Sequence, residues 1–148
     1  MKLDALVNWY ETLTPETISS LSEIYHEDAR FRDPFNDVYG HEAIAGIFQH
    51  MFKTTKDPLF RITATQKEGA TAWVSWTFGL VLRGKVLSID GVTRLGFGDD
   101  GRVIDHRDFW DATDLIEALP LVGGILRFLK RRLKTPCPKS MNRKKVYE

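Results

Sequence analysis

The 148-residue chain has one cysteine, Cys137, so no internal disulfide is available and no second thiol stands ready for zinc. No apolar run approaches the roughly 20 residues of a membrane-crossing helix. The first residues form an amphipathic segment rather than a signal peptide, and the expected location is cytoplasmic. Histidine is sparse. His26, His41, His50 and His106 fall on different predicted elements, without the i, i+4 spacing that puts two ligands on one helical face, so no metal site is expected. There is no glycine-rich phosphate loop: Gly123-Gly124 sits in an apolar run and is not a nucleotide fingerprint. No Ser-His-Asp arrangement stands out, and no cofactor is implied. Net charge is nearly absent as well, at +1.

That small net charge hides an asymmetry. From Arg127 to Glu148 nine Lys/Arg face Glu148 alone, so an acidic body carries a strongly basic end. Along the body, Leu3, Leu6, Val7 and Tyr10 recur at helical spacing and predict a first helix over about residues 2–12. Thr14-Pro15-Glu16 reads as an N-cap followed by proline in the first turn of a second helix, with Ile18, Leu21, Ile24 and Tyr25 turned inward. Arg32-Asp33-Pro34-Phe35 predicts a short extended piece, because Pro34 biases Asp33 away from helix. Gly40 opens a third helix that buries Ile44, Ile47, Phe48, Met51 and Phe52, and Asp57-Pro58 ends it. The period then changes. Residues 60–66, 72–82, 86–97 and 102–111 are rich in β-branched and aromatic residues, separated by the turn signals Glu68-Gly69, Arg83-Gly84 and Asp100-Gly101. The expectation is an α+β domain over residues 1–120. Three N-terminal helices would pack on a strongly curved, antiparallel four-stranded sheet, with a basic amphipathic helix and tail over 121–148.

Three stretches carry a family likeness. Residues 25–35, ending in Asp33-Pro34-Phe35, resemble the ketosteroid isomerase segment that ends in the catalytic aspartate-proline pair. Residues 39–44 (Tyr-Gly-His-Glu-Ala-Ile) resemble the entry to the third helix, and residues 100–111 resemble the last strand of the epoxide hydrolases and polyketide cyclases. The chain thus resembles the nuclear transport factor 2-like superfamily, whose SnoaL-like, ketosteroid isomerase-like and limonene-epoxide hydrolase-like members share a cone-shaped α+β barrel. One fold with many functions implies a pocket more firmly than a reaction.

The resemblance places Asp33 at the isomerases' general base and Asp108 at the acidic residue of the cyclases and epoxide hydrolases. Alternation puts Ile104, His106, Asp108 and Trp110 on one face of the last strand, where His106 is positioned to relay a proton. Two carboxylates on one apolar cavity tend to share a proton. The alternative is an Asp-Pro turn at Asp33, accepting backbone N–H groups, and a solvated polar strand. The expected ligand-binding wall is Trp9, Tyr10, Phe31, Phe48, Trp76, Phe78, Thr93 and Trp110. Departures from the family pattern are equally specific. The isomerases' first-helix tyrosine position counts to Trp9, with Tyr10 one step round the helix. Their second oxyanion donor counts to Gly91 or Thr93, with Asp90 on the opposite face. Val74 and Trp76 replace the arginine and first aspartate of the epoxide hydrolase triad, which rules out that triad's chemistry.

Two functions remain open: cofactor-independent acid–base catalysis (isomerase, cyclase or hydrolase) on a small apolar ligand, or a non-catalytic module binding a hydrophobic ligand or a protein. The expected assembly is a homodimer through the outer sheet face. Residues 121–134 predict a helix with Leu121, Ile125, Phe128 and Leu129 on one side, suited to the pocket mouth, a protein partner or an anionic membrane surface, where each Lys/Arg contributes about 1 kcal/mol. A plain helix end with a basic tip is the bland alternative. Specific nucleic-acid binding is not expected, because aromatic residues do not interleave these charges.

Overall fold

The computed structural model describes residues 3–134; Cys137 and the basic tip beyond Pro136 lie outside them. Helix α1 (Leu3–Glu11) buries Leu6, Trp9 and Tyr10. A single 3-10 turn (Thr17–Ser20) and the short α2 (Leu21–Ile24) follow. Thr14 and Thr17 close the turn's entry reciprocally. The Thr14 N–H donates to Thr17 Oγ1 at 2.8 Å, and the Thr17 N–H donates to Thr14 Oγ1 at 3.3 Å. Helix α3 (His41–Thr54) starts at Gly40, whose φ of +84° is the left-handed backbone that glycine adopts without strain. Ile44 and Phe48 are its buried residues.

Six strands form one sheet: β1 (Tyr25–Arg32), β2 (Asp37–Tyr39), β3 (Lys56–Glu68), β4 (Thr71–Leu82), β5 (Lys85–Phe97) and β6 (Val103–Trp110). Their order is β2-β1-β6-β5-β4-β3, so the sheet is open, ending on β2 and β3. β3 to β6 make the expected antiparallel meander. Arg83 and Gly84, both at positive φ, turn β4 into β5, and Gly101 at φ +78° serves β5 into β6. Register shifts within β3–β4 and β5–β6 mark bulges that bend the sheet.

Several expectations need correction. The sheet has six strands rather than four and is not closed into a barrel. The second helix is a 3-10 turn from Thr17 plus a four-residue helix rather than one helix opened by Thr14-Pro15. The sheet is mixed rather than purely antiparallel, because β1 pairs in parallel with β6, Phe31 opposite His106. Tyr25 therefore begins a strand instead of completing the second helix. Ile24 and Tyr25 fit a helical stripe equally well, but the open edge of β6 settles the backbone by long-range pairing, which local periodicity does not register. The last strand also slips. Its bulge pairs Gly96 with Asp105 and Phe97 with Val103, so Val103 is buried and Ile104 is exposed, not inward.

Helices α1 and α3 cover one face of the sheet. The core between them gathers Leu6, Ile44, Phe48, Val74 and Leu95, all nearly inaccessible. α4 (Ala112–Ile116) follows β6, capped by Asp111, whose Oδ1 accepts from the Thr113 N–H at 2.9 Å. α5 (Val122–Leu133) comes next, and Leu121 stands outside it as a cap residue at φ +64°. No described helix is long and apolar enough to cross a membrane.

Candidate functional site

Between α3 and the concave side of the sheet lies an apolar cleft of about 310 Å³. Ile47, Phe48 and Met51 wall it on the helix side, with Phe60, Trp76 and Phe78 on the sheet side. Phe60 and Phe78 stack with centroids 4.4 Å apart. Asp33, Asn36, Trp110 and Asp108 supply its margin and polar end. Deeper, a cavity of about 30 Å³, room for a single water, is bounded by Tyr10, Thr93, Leu95 and His106. Phe31, Phe48, Trp76 and Asp108 belong to both linings.

Asp108 anchors a chain of buried and part-buried hydrogen bonds. Its Oδ1 accepts from Thr93 Oγ1 at 2.5 Å and lies 2.8 Å from His106 Nε2. Thr93 in turn accepts from Trp76 Nε1 at 2.8 Å. On the far side of the imidazole, Nδ1 lies 2.9 Å from the Tyr25 hydroxyl and 3.1 Å from that of Tyr10. The two phenols also hydrogen-bond each other. With Nε2–H donating to the carboxylate, Nδ1 is left to accept from a phenol, which fixes the tautomer by its partners. Burial pushes the Tyr10 phenol well above its ordinary value, with Tyr25 and the Asp108 charge adding to it. Burial also raises Tyr25, opposed by its bond to Tyr10 and reinforced by Asp108. Both phenols are therefore neutral donors at working pH. Phe31 stacks on His106 at 4.2 Å, holding the ring in place.

Asp33 serves the margin differently. Its Oδ1 accepts from the backbone N–H groups of Phe35 and Asn36, both at 2.7 Å, and Asn36 Nδ2 donates to both carboxylate oxygens at 3.1 and 3.0 Å. This is the Asp-Pro turn geometry, at a residue that still lines the cleft.

Of the expected wall, Phe31, Phe48, Trp76, Phe78 and Trp110 come together at the cleft, while Tyr10, Thr93 and His106 form the inner end. Trp9 lines neither. Its indole N–H donates to Thr17 O and Ser20 Oγ, so it buttresses the core, and Tyr10 is the first-helix residue that reaches the site. Asp90 faces away, accepting from Thr77 at 2.7 Å. Sequence reading turned Tyr25 inward on a helix and missed it in this role; strand alternation does not reach it either, because β1 is irregular between Tyr25 and Arg30 and Glu27 is exposed. It named Gly91 only as a counted oxyanion position and missed its packing role, where any Cβ would sit 2.3 Å from the Trp76 ring.

On the outer face, Asp105 pairs with Arg94 at 2.8 Å and Arg32 at 3.0 Å. Burial works to raise the Asp105 carboxyl, but the two guanidiniums outweigh it and hold it below the usual carboxylate range. Ligand atoms of His26, Glu27 and Asp28 converge within 4.8 Å, a grouping that helix-based spacing does not reveal. His26 Nδ1 there already accepts from the Asp28 N–H at 3.1 Å.

Helices on one face of an open, bent sheet, enclosing an apolar cleft with an acidic end, define the nuclear transport factor 2-like class. Within it the chain belongs to the SnoaL-like family, whose domain model matches residues 6–106. A candidate SnoaL-like polyketide cyclase from Jannaschia sp. CCS1 is 16% identical, with a TM-score of 0.72 over 81% of this chain and 92% of that one. An LEH-like epoxide hydrolase from M. tuberculosis is 18% identical, with a TM-score of 0.62 over 87% and 92%. An NTF2-like protein of unknown function from Burkholderia pseudomallei k96243 is 15% identical, with a TM-score of 0.72 over 80% and 97%. At these identities the likeness is one of fold. No curated protein matches the chain in sequence.

Proposed function

We propose that the chain is a cofactor-independent acid–base catalyst acting on a small, largely apolar ligand, with Asp108 as the carboxylate that handles the proton. The observation that carries this reading is the setting of Asp108. It closes the polar end of an apolar cleft, while Thr93 and His106 hold its Oδ1 and two buried phenols hold His106. Among the described residues no Lys or Arg pairs with it, and Oδ2 has no hydrogen-bond partner. That oxygen is free to meet a ligand. A carboxylate oriented on one oxygen and open on the other suits general acid–base work, which contributes about 10²–10⁴-fold in rate. Asp33 has most of its acceptor capacity committed to its turn and takes the lesser role, shaping the rim and orienting the ligand. Fold neighbours bearing cyclase and epoxide hydrolase names support a ligand-binding cleft. The epoxide hydrolase triad has no counterpart here, since Val74 and Trp76 stand where the resemblance puts its arginine and first aspartate.

The second reading, a carrier of hydrophobic ligands, is favoured by the aromatic wall, which would bind a flat apolar molecule without any chemistry. Native mass spectrometry of the purified protein identifies a retained compound, which is then incubated with wild type, Asp108→Asn and Asp33→Asn. The catalyst reading expects Asp108→Asn to lose at least about 100-fold in turnover while still binding the ligand, and Asp33→Asn to lose less. Wild-type turnover in Asp108→Asn would defeat it. A ligand returned unchanged by the wild type would establish the carrier.

A further inference from the structure

Helix α5 turns its polar side to the protein and its apolar side outward. Gly123 packs so tightly on α4's C-terminal extension that a Cβ there would lie 2.4 Å from the Glu117 carbonyl oxygen. Arg127 Nη1 donates to that same oxygen at 3.1 Å, and Lys130 Nζ pairs with the Glu117 carboxylate at 2.8 Å. Val122, Ile125, Leu129 and Leu133 recur at i, i+3, i+7 and i+11, a single stripe. That stripe is 51%, 64%, 49% and 84% exposed along its length. Surface helices of globular proteins normally bury such a stripe. Here a polar, glycine-backed contact holds the helix and leaves the stripe without a partner among the described residues.

Charge says what fits it. Between Val122 and Lys134 stand Arg127, Lys130, Arg131, Arg132 and Lys134, with no Asp or Glu, and the chain beyond adds four more cations against Glu148. Two copies meeting stripe to stripe would bring two such segments together, and like charges oppose that contact. At 12 residues the helix is about 18 Å long, too short to cross a bilayer core of about 30 Å, but long enough to lie in its surface. We propose that α5 forms a membrane-surface site for anionic lipid. Val122, Ile125, Leu129 and Leu133 would enter the headgroup–acyl boundary, and the flanking Lys and Arg would meet the anionic headgroups. The inference stands apart from the chemistry of the cleft.

The test is co-sedimentation of the full chain with vesicles of phosphatidylcholine mixed with phosphatidylglycerol, against phosphatidylcholine alone. The double variant Ile125→Glu, Leu129→Glu removes the stripe without touching the Glu117 contacts. A second form ends at Lys134. Expected are a preference of about tenfold or more for the anionic vesicles that added salt weakens, and a loss of about tenfold or more in the double variant. The thermal midpoint should not move, and the truncated form should bind in between. Equal partition into both vesicles, no partition into either, or full binding by the double variant each overturns the proposal. So does a solution dimer that the double variant dissolves while the wild type ignores vesicles, which would give the stripe to a second copy.

Discussion

A methyl group added at Gly91 would meet three ring carbons of Trp76 at 2.3, 2.4 and 2.8 Å. Trp76 is buried and tied to Thr93, so it has little room to retreat. Gly91→Ala is expected to cost about 1–3 kcal/mol by overpacking, read as a lower thermal midpoint. If the ring swings aside instead, it surrenders its bond to Thr93 and loosens the support of Asp108. The phenol pair makes a different prediction. An unfolded tyrosine ionises near pH 10, whereas folded Tyr10 and Tyr25 hold their protons to higher pH. Above about pH 10 the unfolded state binds fewer protons than the folded one, so stability, complete below that pH, falls as pH rises. Urea midpoints measured at about pH 9 and about pH 11 should show the drop, and Tyr10→Phe with Tyr25→Phe should flatten it. Most of the cleft was legible at this scale: alternation and motif found Asp108, His106, Trp76, Phe78 and Trp110. What misled was one step of helical phase, which assigned to Trp9 the place that Tyr10 takes, since a count of residues carries no rotation.

Elements were legible where turn chemistry marks them. Gly40, Gly69, Gly84 and Gly101 all adopt the positive φ that their places in caps and turns require, and β4, β5 and β6 run within a residue of the expected limits, whereas β3 takes in Asp57-Pro58 and starts at Lys56, four residues earlier than expected. β1 was not legible as a strand, because its hydrophobic residues satisfy two periods and its partner lies at the other end of the chain. The bulge at Ile104 escaped for a similar reason: alternation assumes a register that only pairing with β5 sets. The link between body and α5 is itself testable. Asp111→Ala removes the cap of α4, a change of about 1 kcal/mol. It should raise amide hydrogen exchange through α4 and α5 while leaving the sheet protected. Uniform protection in both would show that α5 is held by something other than Glu117.

At the scale of the whole molecule, the outer sheet face is polar but not uniformly so. Trp73 and Phe109 stack across it at 6.2 Å, about two-fifths exposed, with the Arg107 guanidinium over Phe109. We propose this face as a dimer contact, for which Trp73→Glu should shift sedimentation toward monomer while leaving the fold's circular dichroism unchanged. A wild-type monomer at all concentrations removes the proposal.

The parallel pairing of β1 with β6 also bears on how the protein comes into being. Tyr25 and His106 stand 81 residues apart along the chain, yet the site needs them in contact. A growing chain leaving the ribosome can close the β3–β4 and β4–β5 hairpins early. β1 must wait, its edge unpaired, until the final strand has emerged. The site is thus completed only after β6 has emerged, and any ligand that stabilises it would act on a sheet whose hairpins have already formed.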